Sequence, residues 1–276
     1  WLHGAEIQPW HRRNFNYKTE QERQAARNKS DICMAFWRDL LRPVPPYLKL
    51  VFVSSYFAKE TEENLGFRLL EDTYTIIHNP IDTELFSYQP KPPEQRKKIL
   101  SIRPYASRKY ANDLSVAAIL KLSEEPFFNE LEFRIIGDGL LFDATLAPLR
   151  KFSNVIIERR FVLQSEIAQI YKEYGVFLCP SRMDTQGVSR DEAMASGLVP
   201  ITNAVAAIPE FVDEACGILA PCEDYGALAK AIVMLHREPD RFLKLSGAAA
   251  ERVRKQSAID NIIDQEFRLF SNPGSF

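Results

Sequence analysis

The stretch Cys179-Pro-Ser-Arg-Met-Asp184-Thr-Gln-Gly187-Val-Ser189-Arg-Asp-Glu192-Ala-Met-Ala-Ser-Gly197-Leu-Val-Pro200 reads as the end of a buried strand, a glycine-bearing loop and a short helix. Ser189 is expected to open that helix and Gly197 to close it, with Pro200 just beyond. Asp184 and Glu192, seven residues apart, then flank a helix N-terminus. Backbone N–H groups at such an end are unpaired and carry partial positive charge, so they suit a phosphate. Two carboxylates beside an anion cradle suit a sugar nucleotide, whose hydroxyls bond carboxylates and whose phosphates meet amides. A plainer reading uses the same letters. Ser189-x-x-Glu192 also spells a capping box, in which the glutamate only satisfies the Ser189 backbone N–H.

Working outward, strand-length apolar runs recur at residues 98–103, 132–137, 155–162, 176–181, 198–203 and 216–220. Helical patterns fill the gaps at about 112–124, 142–152, 165–173, 189–196, 208–213 and 225–237. Continuous apolar strands alternating with helices predict a parallel sheet covered on both faces, a doubly wound, Rossmann-like domain of about six strands. Ligands in such sheets bind outside the carboxyl ends of the strands. The residues at those ends are Arg103, Gly137-Asp138-Gly139, Arg160-Phe161, Pro180-Ser181 and Asn203. The glycines of 137–139 suit a close backbone approach to a ligand, while the missing third glycine argues against a dinucleotide fingerprint.

Residues 1–96 read differently. Trp1-Leu-His-Gly4 resembles a strand end, residues 17–42 a long helix, 48–54 a strand, about 58–65 a helix and 74–78 a strand. These pieces are too few to close a second α/β domain. The division expected is a partial N-terminal, acceptor-side α/β domain at 1–87, a proline-bearing linker at 88–97, a nucleotide-sugar-binding domain at 98–256, and a C-terminal helix and loose tail at 257–276. The chain begins at Trp1 rather than Met, which points to a piece of a longer polypeptide or a separate segment that completes it.

The bulk numbers exclude several classes. Hydrophobic residues make up 46% and charged residues 26% of 276, an ordinary globular balance. Thirty-five basic against 37 acidic side chains leave a net charge of −2, which gives no footprint for nucleic acid. The four cysteines show neither zinc nor redox spacing and fit a reducing compartment. No apolar run is long enough to span a bilayer.

In order along the chain stand Ile77-His-Asn79-Pro-Ile-Asp82-x-x-x-Phe86, Leu100-Ser-Ile-Arg103 with Arg108-Lys109, Ile136-Gly-Asp-Gly139, and the Asp184-to-Glu192 segment. Each is weak alone. Their order and spacing over about residues 3–255 resemble the retaining glycosyltransferases of family 4, with the two-domain GT-B fold, most closely those building bacterial surface polysaccharides. The resemblance implies a transferase that moves a sugar from a nucleoside-diphosphate sugar to a glycan or lipid-linked acceptor. It implies that Arg103 and Lys109 (or Arg108, the spacing being ambiguous by one) hold the donor diphosphate, joined by the amides of Gly187 and Val188. Glu192 would bond the ribose hydroxyls, Asp184 the donor sugar, and Arg160-Phe161-Val162 would line the base. His3 would face the donor sugar from the first domain. The chain departs from the family in having Asp184 where glutamate is usual, and in lacking roughly the first half of the acceptor domain.

No Asp-x-Asp occurs, so no metal is expected to clamp the phosphates. A cytoplasmic location is expected, with peripheral contact at the inner membrane face left open. So are two other classes: a non-catalytic nucleotide-sugar-binding or interaction module, and a GT-B-fold nucleotide-sugar epimerase. Arg103 could equally be a strand-end arginine in a surface salt bridge, and His3 a strand-end histidine bonded to backbone.

Overall fold

The computed structural model describes residues 1–271 of the chain; of the loose end expected at 271–276, Ser271 closes the last helix and the rest lies outside the described residues. In chain order the elements are α1 (Glu20–Leu40), β1 (Leu50–Phe52), α2 (Ser55–Leu65), β2 (Tyr74–Ile76), β3 (Lys98–Ile102), α3 (Asn112–Leu122), β4 (Glu132–Gly137), α4 (Phe142–Leu146) and β5 (Val155–Arg159). They continue with α5 (Gln164–Glu173), β6 (Val176–Leu178), α6 (Val188–Ala195), β7 (Val199–Asn203), α7 (Ile208–Phe211), β8 (Ile218–Ala220), α8 (Tyr225–Arg237), α9 (Pro239–Gln256) and α10 (Ile259–Ser271).

Six strands form one parallel sheet in the order β5-β4-β3-β6-β7-β8. The expected parallel, doubly wound unit is therefore present, because its central runs are apolar on both faces and are covered on both. One core cluster holds Ile99, Phe133, Val176, Leu178, Val199 and Ile201, and the other holds Leu100, Ile136, Phe177, Cys179 and Leu198. The chain steps outward from β3 to β4 and β5, then returns to place β6 on the other side of β3, with Leu100 opposite Phe177. That reversal opens a crevice between the carboxyl ends of β3 and β6, the place where open α/β sheets take ligands.

Several elements end earlier than their sequence patterns. β6 stops at Leu178 because Pro180 has no N–H for the ladder. The helix expected at 142–152 is α4 followed by a 3-10 turn at Ala147–Leu149, since Pro148 cannot continue an α-helix. α6 begins at Val188, with Gly187 rather than Ser189 as its N-cap. α9 was not anticipated. It opens with Pro239 in its first turn and buries Phe242, Leu245, Ala249 and Val253 at helical spacing.

The first part has a small core of its own. β1 and β2 pair in parallel, and Leu2 bridges to Phe52 on the far side of β1. α1 is opened by Thr19 and Glu22, which form a reciprocal capping box. Leu2, Ile7, Met34, Phe52, Phe57 and Leu65 close this core. The proline-bearing stretch 88–97 is packed rather than free. Lys91 is buried and donates to the Tyr171 carbonyl at 2.5 Å, and burial pulls its pKa down to about 8.

The two parts meet through side chains far apart in sequence. The Glu210 carboxylate accepts the backbone N–H groups of Ser55 and Tyr56, and so caps α2 from across the junction. Gln186 exchanges two hydrogen bonds with the Asn79 backbone, at 2.6 and 3.0 Å. The Ser107 hydroxyl donates to Asn16 at 2.8 Å. Past α9, Ala258 bridges to Ile81, and α10 buries Ile262 against Val51 and Ile77. α10 thus crosses back to the first part. No helix among the described residues is long and apolar enough to cross a membrane.

Candidate functional site

A cleft of about 470 Å³ lies at the crevice, lined by the ends of β3 to β5 and the start of α6. Of the residues singled out by sequence, it brings together Arg103, Lys109, Gly137, Arg160, Phe161, Asp184, Gly187 and Val188. Gly139, Glu192, Arg108 and His3 do not line it.

Arg103 follows β3 directly and is only 4% exposed. It is not the surface ion pair that its strand-end position allowed. Its guanidinium donates to the Ser181 hydroxyl at 2.7 Å, to Ser189 at 3.3 Å and to the Pro180 carbonyl at 3.4 Å, and lies over the Tyr110 ring. Every one of these partners is neutral, and its Nε has none. A buried cation without a counter-charge is costly unless something anionic arrives. Lys109, further along the same loop, adds a second cation to the cleft. Arg108 lines a separate cavity of about 450 Å³ with Lys18 and Ser107, so of the two candidates Lys109 is the one that lines this cleft.

α6 has no side-chain cap, because Gly187 at φ 101° starts it. Left-handed backbone is costly for other residues, and a Cβ here would come within 2.7 Å of the Arg190 guanidinium. The uncapped first turn therefore faces the cleft with Gly187, Val188 and Ser189. Behind it, Arg190 and Asp191 form a buried ion pair at 2.6 Å, with Gln186 bonded to Asp191 at 3.2 Å. Burial works against the charge on Arg190, but Asp191 outweighs it and raises the Arg190 pKa.

Glu192 does not make the expected capping box. The helix starts one residue too early, and the Ser189 hydroxyl takes a hydrogen bond from Arg103 instead. Glu192 stands one turn beyond Val188 and Ser189 on the same helix face and is 7% exposed. Its Oε1 accepts from the Gln164 amide at 3.1 Å. Burial is the main cause that raises its pKa to about 7.

Gly137 and Gly139 bring two stretches of the chain together. A Cβ at either would strike the backbone of residues 103–106, so the glycines let β4 come up against the loop that carries Arg103. Asp138 is paired with Arg159 at 2.8 Å. Arg160 is held by Glu158 and Glu166, both at 2.7 Å, whereas Phe161 is 84% exposed at the mouth. Asn203 is fully buried and accepts the Ser181 N–H at 3.2 Å, which makes it a support of the loop. His3 is exposed, and its carbonyl accepts from the Thr185 hydroxyl at 2.6 Å, so the first residues of the chain touch the loop just after Asp184.

Sequence reasoning missed Gln164, Tyr110, Gln186 and the Arg190–Asp191 pair. Only the adjacent opposite charges at 190 and 191 left a trace, and neighbours on a helix do not face each other, so the trace was not a contact signal. Among the described residues, no group of three or more His, Cys, Asp or Glu side chains is placed to hold a metal ion.

A family model described as Glycosyl transferases group 1 matches residues 96–238. The Alpha-maltose-1-phosphate synthase of Mycolicibacterium smegmatis is 30% identical over 119 residues, which are 41% of this chain and 31% of that protein. The chain thus aligns with less than a third of that curated relative's length. Among solved structures, a glycosyltransferase from Rickettsia africae superposes with a TM-score of 0.71 at 15% identity, covering 94% of this chain and 75% of that one. HepE from Anabaena, solved in complex with UDP-glucose, gives a TM-score of 0.70 at 15% identity, covering 88% and 68%. At such identities the likeness shows the fold, which is GT-B.

Proposed function

The chain belongs to the glycosyl transferases group 1, whose family model spans more than half of it, and we propose that its cleft binds a nucleoside-diphosphate sugar and that the protein transfers the sugar to a glycan or lipid-linked acceptor. One observation carries the reading: Arg103, a buried cation held only by neutral groups, shares a cleft with Lys109 and the uncapped start of α6. That is a site waiting for a diphosphate.

The chemistry follows from the charge. As the bond from the sugar C1 to the diphosphate breaks, positive charge builds on the sugar and negative charge on the leaving group. Pre-oriented cations and amide dipoles lower that barrier, each group being worth roughly 10²–10³ in rate. Arg103, Lys109 and the Gly187 and Val188 amides take this role, so no metal clamp is needed. Glu192 receives the ribose hydroxyls, Asp184 the donor sugar, and Phe161 and Val162 flank the base. His3 completes the sugar side from the first part of the chain. The reaction proceeds with retention, and a bacterial surface polysaccharide is the product class, assembled in the cytoplasm or at the inner membrane face. The name of the Mycolicibacterium relative, a maltose-1-phosphate synthase, supports glycosyl transfer as the reaction class.

Calorimetric titration with UDP, GDP and dTDP, without and with magnesium, tests this first. One nucleotide is expected to bind equally well in both conditions, and its sugar conjugate to be consumed when acceptor is added. Binding without turnover would favour the interaction-module reading. Interconversion of the sugar without transfer would favour an epimerase, and no binding by a folded chain would overturn the donor site.

A further inference from the structure

Glu192 presents two carboxylate oxygens to different surroundings. Oε1 is held by the Gln164 amide at 3.1 Å. Oε2 has no hydrogen-bond partner among the described residues, yet it is not among the sealed, unpartnered polar atoms, so solvent reaches it. A buried carboxylate with a single fixed oxygen has one orientation and one free acceptor. Gln164 itself is exposed and is the first residue of α5. It directly follows the loop of Arg160, Phe161 and Val162 that borders the cleft.

We propose that Gln164 is a positioning residue: its amide turns the Glu192 carboxylate so that the second oxygen is offered to the ribose hydroxyls of the donor. Its place between the base-side loop and α6 lets its amide bear on the alignment of the two, beside the Tyr171 hydroxyl that donates to the Ser189 carbonyl at 3.2 Å. The role of the ribose rests on the donor reading of the cleft. The hold of Gln164 on Glu192 does not.

A positioning hydrogen bond to the charged form of a carboxylate also sets where that carboxylate ionises. The groups around Glu192 are few. Tyr171 faces it from α5 as a fully buried neutral phenol that also feels Arg103, and Asp191 sits beside it on α6. Burial pushes the Glu192 pKa up, Gln164 pulls it down, and Asp191 pushes it up a little. The sign is as follows. The folded pKa of about 7 exceeds the usual 4.5, so the empty protein loses stability as pH rises from about 4.5 to about 7. A ribose diol that donates to the carboxylate binds its ionised form. Nucleotide affinity should therefore fall as pH drops below about 7.

The test is a set of variants at one exposed position: Gln164→Lys, Gln164→Ala and Gln164→Glu. Carboxyl-carbon NMR of the empty protein reads the Glu192 midpoint directly, and UDP calorimetry across pH reads affinity. Midpoints are expected to rise in the order Lys, wild type, Ala, Glu, with steps of about half a unit or more. At neutral pH, Gln164→Ala should weaken UDP binding by roughly 3–10-fold and raise KM while leaving kcat nearly unchanged. Gln164→Lys should restore the affinity. Thermal unfolding below about pH 4.5, where Glu192 is protonated folded and unfolded alike, is expected to be nearly unchanged and guards against a folding artefact. Identical Glu192 titrations in wild type and Gln164→Ala would overturn the proposal, as would equal losses in the Lys and Ala variants. If UDP binds none of these proteins while the midpoints keep their order, the donor reading fails and the hold of Gln164 on Glu192 stands.

Discussion

Arg103 sets stability against function in one side chain. Its charge is buried among hydroxyls, a carbonyl and a tyrosine ring, and among the described residues no acidic group pairs with it. Replacing such a charge by an apolar side chain of similar length removes the cost of keeping an ion out of water. We therefore predict that Arg103→Met raises the melting temperature of the empty protein. The same variant should lose the extra stabilisation that UDP gives the wild type, and its turnover should fall roughly 10²–10³-fold. Scanning calorimetry with and without UDP checks both arms, and a lower melting temperature without nucleotide would contradict the argument. The position of Arg103 at a strand end was legible in the sequence, since an apolar run ending in arginine needs no tertiary knowledge. Its lack of a counter-ion was not. That depends on Ser181 and Ser189, which reach it from another strand and another helix. Glu192 shows the opposite failure. Local spelling offered it a capping role, and a one-residue shift in where α6 begins removed it.

The start of α6 shows how an element is placed rather than merely formed. Gly187 occupies left-handed backbone and packs against the Arg190 guanidinium, which is tied to Asp191 and to the Gln186 carbonyl. Gly187→Ala should cost about 1–3 kcal/mol in urea unfolding, from strain and from the displaced Arg190. It should also weaken UDP binding, because the first-turn amides would be re-aimed. A variant that keeps wild-type stability and affinity would show that the loop has room to adjust. Strand and helix identities in the six-stranded unit were readable because buried parallel strands are continuous apolar runs between amphipathic helices. Ends were less readable, since Pro148 and Pro180 act through single missing N–H groups. α9 had signals of its own, a proline at its start and apolar residues at Phe242, Leu245, Ala249 and Val253, and they were there to be read.

Across the whole molecule, the joint between the parts is made by groups with no sequence signature. Glu210 lies 155 and 154 residues from the N–H groups it caps, and no local pattern announces such a pairing. Glu210→Ala should cost about 1–2 kcal/mol, the usual worth of a carboxylate at a helix start. Hydrogen exchange should speed up in α2 while the six-stranded unit stays protected. Equal loosening everywhere would mean that the joint is part of one cooperative unit. α10 adds a bearing on how the chain comes to be made. Val51 and Ile77 precede the six-stranded unit in the chain, yet Ile262, fully buried against them, follows it. A polypeptide leaves the ribosome from its N-terminus, and segments begin folding as they appear. The first part must therefore wait through the synthesis of the entire six-stranded unit with an apolar face uncovered, and is sealed only once α10 has emerged. A chain cut short by a premature stop before α10 would be released with that face still bare, a form that quality control could recognise by its stickiness alone.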